Sequence, residues 1–321
     1  MKRLLIALLA SLPCWSQISN PVLGYFPDGG RIRIALGMPA ASAVQPAVSL
    51  DASDPSRKFA RIAVSPRQDY VLASAADSGE VSLFRPGQRS GQALTRLAGA
   101  GLSPDTISFS PGGGVAVLWF AATTRAQIFK GLPDAPEMRE IDATFLAISP
   151  FSLAVSDDAE WLAGAWPGGV YAFGPHGEVT VSPVEGPARS VAFFHGTHDL
   201  AVANAQGVFA VLDAGGRAEV RSLFAAVETT LDPMALALTA RNQRVVLAES
   251  SGRIISIEIQ SGSVTFADCG CAPEGLDRVS RSAFRLTGLK ERAFKLFDAD
   301  TGEVLYSPLT EGEADGEEAR Q

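Results

Sequence analysis

Histidine and cysteine are scarce in this chain, with three of each in 321 residues. That scarcity narrows the chemistry at once. A Ser–His–Asp triad needs a histidine within reach of a nucleophile, yet His176, His195 and His198 all stand in turn-like stretches, and no Gly-x-Ser-x-Gly elbow occurs. His195-Gly196-Thr197-His198 is the nearest approach to a metal motif. It reads as a polar turn between two strands, and a zinc site wants three or four ligands. No catalytic residue and no metal ligand is assigned. Charge is sparse as well. Charged residues make up 19% of the chain, the formal net charge is −8 and no cluster of Lys and Arg occurs. A nucleic-acid partner needs such a cluster to displace counterions, so none is expected. Gly112-Gly113-Gly114 follows Ser110-Pro111 and precedes another apolar run. It reads as a strand turn, because a phosphate loop would open a helix. Beyond residue 12 no apolar run approaches the roughly 20 residues that cross a bilayer, so no membrane span is expected.

What is present begins with a targeting segment. Lys2 and Arg3 precede an apolar stretch from Leu4 to Leu12, and Cys14-Trp15-Ser16 supplies a small-x-small site. Residues 1–16 are read as a signal peptide cut near Ser16/Gln17, and the mature chain as exported, to the periplasm or the medium. Ser11 and Pro13 argue against lipidation of Cys14. Residues 311–321 are acidic and carry no apolar side chain larger than Ala. Alone they cannot offset their ordering entropy, so a disordered tail is expected, with an acidic docking arm as the functional alternative. Between these lies one domain, residues 17–310.

That domain repeats one phrase about every 38 to 46 residues. It runs Val64-Ser65-Pro66 to Tyr70-Val71-Leu72-Ala73, then Phe109-Ser110-Pro111 to Val115-Ala116-Val117-Leu118. It recurs around Val155-Ser156-Asp157, Phe193-Phe194-His195 and Leu238-Thr239-Ala240. Third apolar runs end in Gly-bearing turns, as in Leu296-Phe297-Asp298-Ala299-Asp300-Thr301-Gly302. Inner runs such as Val245-Val246-Leu247-Ala248 are apolar throughout, the mark of strands buried on both faces. Residues 20–52 and 276–310 form a first and a seventh, more degenerate unit. Repeats of this length stack because no unit buries its faces alone. The fold expected is all-β, a seven-bladed β-propeller of four-stranded antiparallel blades, closing through strands shared between its two ends.

The Ser-Pro and Leu-Phe-Asp-x-x-Thr-Gly phrases resemble the repeats of YVTN-type and WD-like seven-bladed propellers over residues 20 to 310. The chain departs from true WD repeats in having no Trp-Asp dipeptide and no Gly-His pair in register. The resemblance implies the fold. It implies no catalytic residue at any position of this sequence.

Candidate ligand-binding residues are polar or aromatic positions in the turns between second and third strands, which share one face around the channel mouth in a propeller. They are Asp28, Asp77, Arg125, Trp166, Asn204, Glu249 and Lys290, with Glu80, Gln206, Arg253 and Glu291 beside them. Cys269 and Cys271 remain after signal removal. On an extended strand their Cα atoms would be about 6.6 Å apart, at the upper edge for a disulfide. A bend at Gly270 brings them closer, so a local disulfide and packed thiols both stay open. The function expected is that of a monomeric binding or scaffold protein, without cofactor, for a protein or carbohydrate outside the cytoplasm. The alternative is a lactonase-type hydrolase or lyase, holding a divalent cation by carboxylates from several blades.

Overall fold

The computed structural model describes residues 22–28, 30–51, 53–86, 94–227, 230–288 and 293–310. The signal segment, the acidic tail, Lys290 and Glu291 lie outside the described residues. The chain forms seven antiparallel sheets, one per repeat. Six have four strands in sequence order, and the first has three: Val22–Asp28, Arg31–Met38 and Ala41–Val44. This is the seven-bladed propeller that the repeat length predicts. Among the described residues no helix is long and apolar enough to cross a membrane.

Seven buried apolar clusters hold the ring, and each lies between two adjacent blades. The second strand of blade 6, Arg244–Glu249, shows how sequence produces this. Val245 and Leu247 point into the cluster shared with blade 5, and Val246 and Ala248 into the one shared with blade 7. Successive side chains leave a strand on opposite sides, so a strand between two neighbours must be apolar at every position.

The two ends meet side by side. Val44 of blade 1 pairs in parallel with Leu309, and the Thr310 N–H donates to the Val44 carbonyl at 2.9 Å. Ser42 and Ser307 hydroxyls lie 2.9 Å apart, and the Phe26 and Phe294 rings pack at 4.6 Å. Among the described residues each blade draws its strands from one end of the chain only. The shared-strand closure expected from the degenerate end units is therefore absent from this part of the molecule.

The first–second turns share one face, the turn face, with the third–fourth turns. There they bond to one another around the axis. Tyr70 donates its hydroxyl proton to the Gly113 carbonyl at 2.9 Å. Gly112 N–H donates to Asp157 Oδ1 at 2.6 Å, and Gly196 N–H to Asp157 Oδ2 at 2.9 Å. His195 N–H donates to Asn242 Oδ1 at 2.8 Å. Blade 6 is tied to blade 7 through Ala240 N–H and the Arg281 carbonyl at 3.0 Å.

One member of this ring is incomplete. Ser65 donates its hydroxyl to Asp69 at 2.9 Å, but the matching Ser110 Oγ is buried with no partner among the described residues. Ser65 N–H bonds the Tyr70 carbonyl as Ser110 N–H bonds that of Val115, so Gly114 stands where Asp69 does. A side chain at Gly114 would meet nothing within 4 Å. Gly114→Asp is therefore expected to raise stability by about 1 kcal/mol, through the new hydrogen bond and reduced unfolded-state freedom. Chemical denaturation beside Gly114→Ala checks this. The aspartate must exceed the alanine, since only it supplies the acceptor.

Candidate functional site

The inner strands surround a central cavity of about 390 Å³, lined from all seven blades. Most of the residues that line it have apolar side chains, among them Ile62, Phe109, Leu153, Phe193 and Leu236, although polar and apolar atoms face the space in about equal measure. Among the described residues one acidic side chain lines it, Asp277, and that carboxylate is paired with Arg285. The lactonase-type alternative needs several carboxylates or amides converging on one point, and the described lining does not offer them. That reading is not favoured.

Asp157, Asp158, His195 and His198 belong to the turn face. His195 Nδ1 lies 2.6 Å from Asp157 Oδ2, and His198 Nε2 lies 2.6 Å from Asp158 Oδ2. The two rings thus engage different carboxylates. Burial pushes the Asp158 carboxyl up, but hydrogen bonds from Ser156, the Glu160 N–H and His198 outweigh it and hold the group below its usual range. Asp158, Glu160 and His198 place ligand atoms within 4.8 Å of one another, yet none of the three lines the cavity.

The sequence-predicted site residues belong to the opposite face, which carries the second–third turns and the crossovers between blades. Asp28 pairs with Arg33 at 2.6 Å. Asp77 is exposed and accepts from the Ser78 N–H at 2.7 Å. Arg125 pairs with Glu140 at 3.0 Å. The other three described candidates, Trp166, Asn204 and Glu249, are buried, and each is the last residue of its blade's second strand. Each fastens the crossover that leads into its own blade. Trp166 Nε1 donates to the Ile148 carbonyl at 2.9 Å, and Asn204 Nδ2 to the Glu185 carbonyl at 2.7 Å. Glu249 accepts from the Asp232 N–H at 3.0 Å and pairs with Arg253, whose pKa that hydrogen bond raises. Glu249 is joined to Arg253 and Asn204 to Gln206 within one blade, and no hydrogen bond or ion pair joins any two of Asp28, Asp77, Arg125, Trp166, Asn204 and Glu249.

The residues that stand out on this face were not among the candidates. The crossover from blade 3 to blade 4 reads Ala143-Thr144-Phe145-Leu146-Ala147-Ile148-Ser149-Pro150-Phe151. It contains a 3₁₀ turn at Thr144–Leu146 and a left-handed residue, Ala147. Phe145 is 59% exposed, and Ile148 and Phe151 are each 48% exposed. Phe151 also lines the cavity, with the Arg189 guanidinium 4.5 Å over its ring, and exposed Met234 of blade 6 lines it too. Trp166 Nε1 fixes the backbone at the Ile148 carbonyl, and Trp119 Nε1 donates to the Ser149 side-chain Oγ at 3.3 Å, so two buried indoles fasten the crossover that carries the exposed side chains. The available signal was an apolar run lying inside a connection.

Cys269 and Cys271 form a disulfide, with Cα atoms 5.1 Å apart. Gly270 between them has φ +53°, the bend that shortens the span. Lys295 Nζ donates to the Gly270 carbonyl at 2.9 Å and to that of Cys269 at 3.2 Å.

No family profile matches this chain. No curated protein matches it. Among solved structures it is similar to the β-propeller domain of Cps50 (Swd1) from Myceliophteria thermophila, with a TM-score of 0.44 and 12% identity. That likeness covers 61% of this chain and 65% of the other, less than two thirds of its length. The fold rests on the seven sheets themselves: the chain is a seven-bladed β-propeller.

Proposed function

We propose that this protein is an exported, monomeric propeller that binds a partner protein through its crossover face, beside the channel mouth. The observation that carries the reading is the run Phe145, Ile148 and Phe151, exposed on a crossover that two buried tryptophans fasten, one at the Ile148 carbonyl and one at the Ser149 hydroxyl. Exposed apolar side chains on a rigid support suit protein contact, since little freedom is lost on binding. Aromatic anchors beside a cation are frequent in interface hot spots. Export is supported by Lys2, Arg3 and the apolar stretch to Leu12, and by a disulfide that an oxidising compartment preserves.

A photoreactive residue at Ile148, in protein made by its own cell, tests this. Val181, exposed on the outer strand of blade 4, is the control position. The expected result is one discrete adduct at Ile148, outside the cytoplasm and removed by protease, with none at Val181. An adduct removed by glycosidase instead assigns the face to a carbohydrate. Equal adducts at both positions contradict the reading.

A further inference from the structure

One arginine interrupts an otherwise apolar layer of the channel. The first strands of blades 2 to 7 end at Val64, Phe109, Val155, Phe193, Leu238 and Arg278. These six positions are equivalent. In each blade the next residue donates its N–H back across the first–second turn, as Ser65 does to Tyr70, Phe194 to Asp199 and Val279 to Ala283. All six line the central cavity. Five are apolar, and Arg278 alone brings a charge to the layer.

The Arg278 side chain crosses the channel. Its Nη2 donates to the Pro111 carbonyl at 2.5 Å, and Pro111 stands in the first–second turn of blade 3. Blades 1 and 2 lie between blade 7 and blade 3 on the shorter way round the ring, so the guanidinium spans the turn-face end of the channel. The backbone that carries it is held by Gln68, whose Nε2 donates to the Arg278 carbonyl at 2.9 Å. A guanidinium has five N–H donors. Among the described residues a single hydrogen bond, to a neutral carbonyl, engages this one. Asp157 is near enough to attract it, but the Asp157 oxygens already accept from Gly112 and Gly196 and pair with His195. Burial lowers the pKa of the guanidinium, the mark of a charge taken from water without a close counter-ion.

A second polar group lies farther along the same wall. Ser190 is 3% exposed and lines the cavity. Ser108 and Ser152, also in the lining, donate their hydroxyls to the Leu153 and Val191 carbonyls of the next blade. The Ser190 hydroxyl has no hydrogen-bond partner among the described residues. It stands three residues before Phe193, about 10 Å from the arginine layer at the rise of a β-strand. Exposed Phe151 and Met234 line the other end of the cavity, where the inner strands begin.

We propose that the cavity binds a small organic acid, with its carboxylate on Arg278, its apolar body along the channel wall and a hydroxyl or carbonyl group at Ser190. The ligand enters from the crossover face, because the arginine bars the turn face. A carboxylate takes a guanidinium through paired N–H···O bonds, and the Pro111 carbonyl uses only one of the five donors. Such a pair offsets the desolvation of a guanidinium that otherwise lacks a counter-ion. The volume of about 390 Å³ is that of a small-molecule site, and apolar walls with a few placed polar groups are the usual make-up of one. Only Phe151 is shared with the docking run on the crossover, so ligand and partner protein bind at separate places.

Isothermal titration calorimetry of the full chain with 8-hydroxyoctanoate tests this. That probe sets a carboxylate and a hydroxyl at opposite ends of an apolar chain. The expected result is saturable one-to-one binding, about tenfold tighter than that of 1,8-octanediol, which has no carboxylate. Arg278→Met keeps an apolar stem and removes the charge. It is expected to weaken the acid about tenfold and to leave the diol unchanged. Ser190→Ala is expected to weaken 8-hydroxyoctanoate about threefold and octanoate not at all. Absence of saturable binding, or equal affinity for acid and diol, overturns the proposal on the wild-type chain alone. Acid binding indifferent to Arg278→Met overturns it as well, since the acid then sits elsewhere. Equal effects of Ser190→Ala on both acids contradict the contact assigned to Ser190.

Discussion

Trp166→Ala is expected to cost about 3–5 kcal/mol of stability, the range for removing a large aromatic from a packed core. Trp166 is 1% exposed. Its ring packs edge-on to Trp119 at 6.2 Å and to Tyr171 at 5.8 Å, and lies 6.0 Å from Phe173. The fit is close on its other side: a Cβ on Gly164 would lie 2.3 Å from the indole. Truncation therefore opens a cavity between blades 3 and 4, and it also strips the Ile148 carbonyl of its donor. Trp166→Phe keeps a six-membered ring in place of the indole and loses the donor, so its loss should be about 1–2 kcal/mol smaller than the alanine's. Urea denaturation separates the two. A loss below about 1 kcal/mol for Trp166→Ala would mean that the indole neither packs nor fastens the crossover.

The same tryptophan shows how far the sequence could be read. Its place on the crossover face was legible, because the repeat phase assigns every second–third turn to one side. Its burial was not, because Pro167 and Gly168 signal a turn but do not say which way the preceding side chain points. Asn204 and Glu249 are alike in this respect. Polar residues at strand ends look like ligand contacts until the crossover backbone that they bond is placed beside them. The blade count was legible because one phrase recurs about every 38 to 46 residues along the domain. That blade 1 shows three strands among the described residues was not, since Val22-Leu23-Gly24-Tyr25-Phe26 reads the same in a first or a second position. Phe145, Ile148 and Phe151 escaped notice because a search of polar turns passes over an apolar connection.

Phe145→Ala with Ile148→Ala should weaken the partner found at Ile148 about 100-fold while leaving the fold intact. Each side chain is about half exposed, and the Phe145 ring lies 6.5 Å from that of Tyr171 and 6.0 Å from that of Phe173, so truncation removes some packing while leaving both indole hydrogen bonds in place. The stability loss expected is about 1–2 kcal/mol per site. Hot-spot truncations cost more than 1 kcal/mol each, and two of about 1.4 kcal/mol give a factor of about 100. The most direct measurement is the dissociation constant of that partner for the wild-type chain and this double variant, taken well below both melting temperatures. A loss near 100-fold places the docking surface on the crossover, whereas affinities within twofold of each other would move it elsewhere on the propeller and contradict the account.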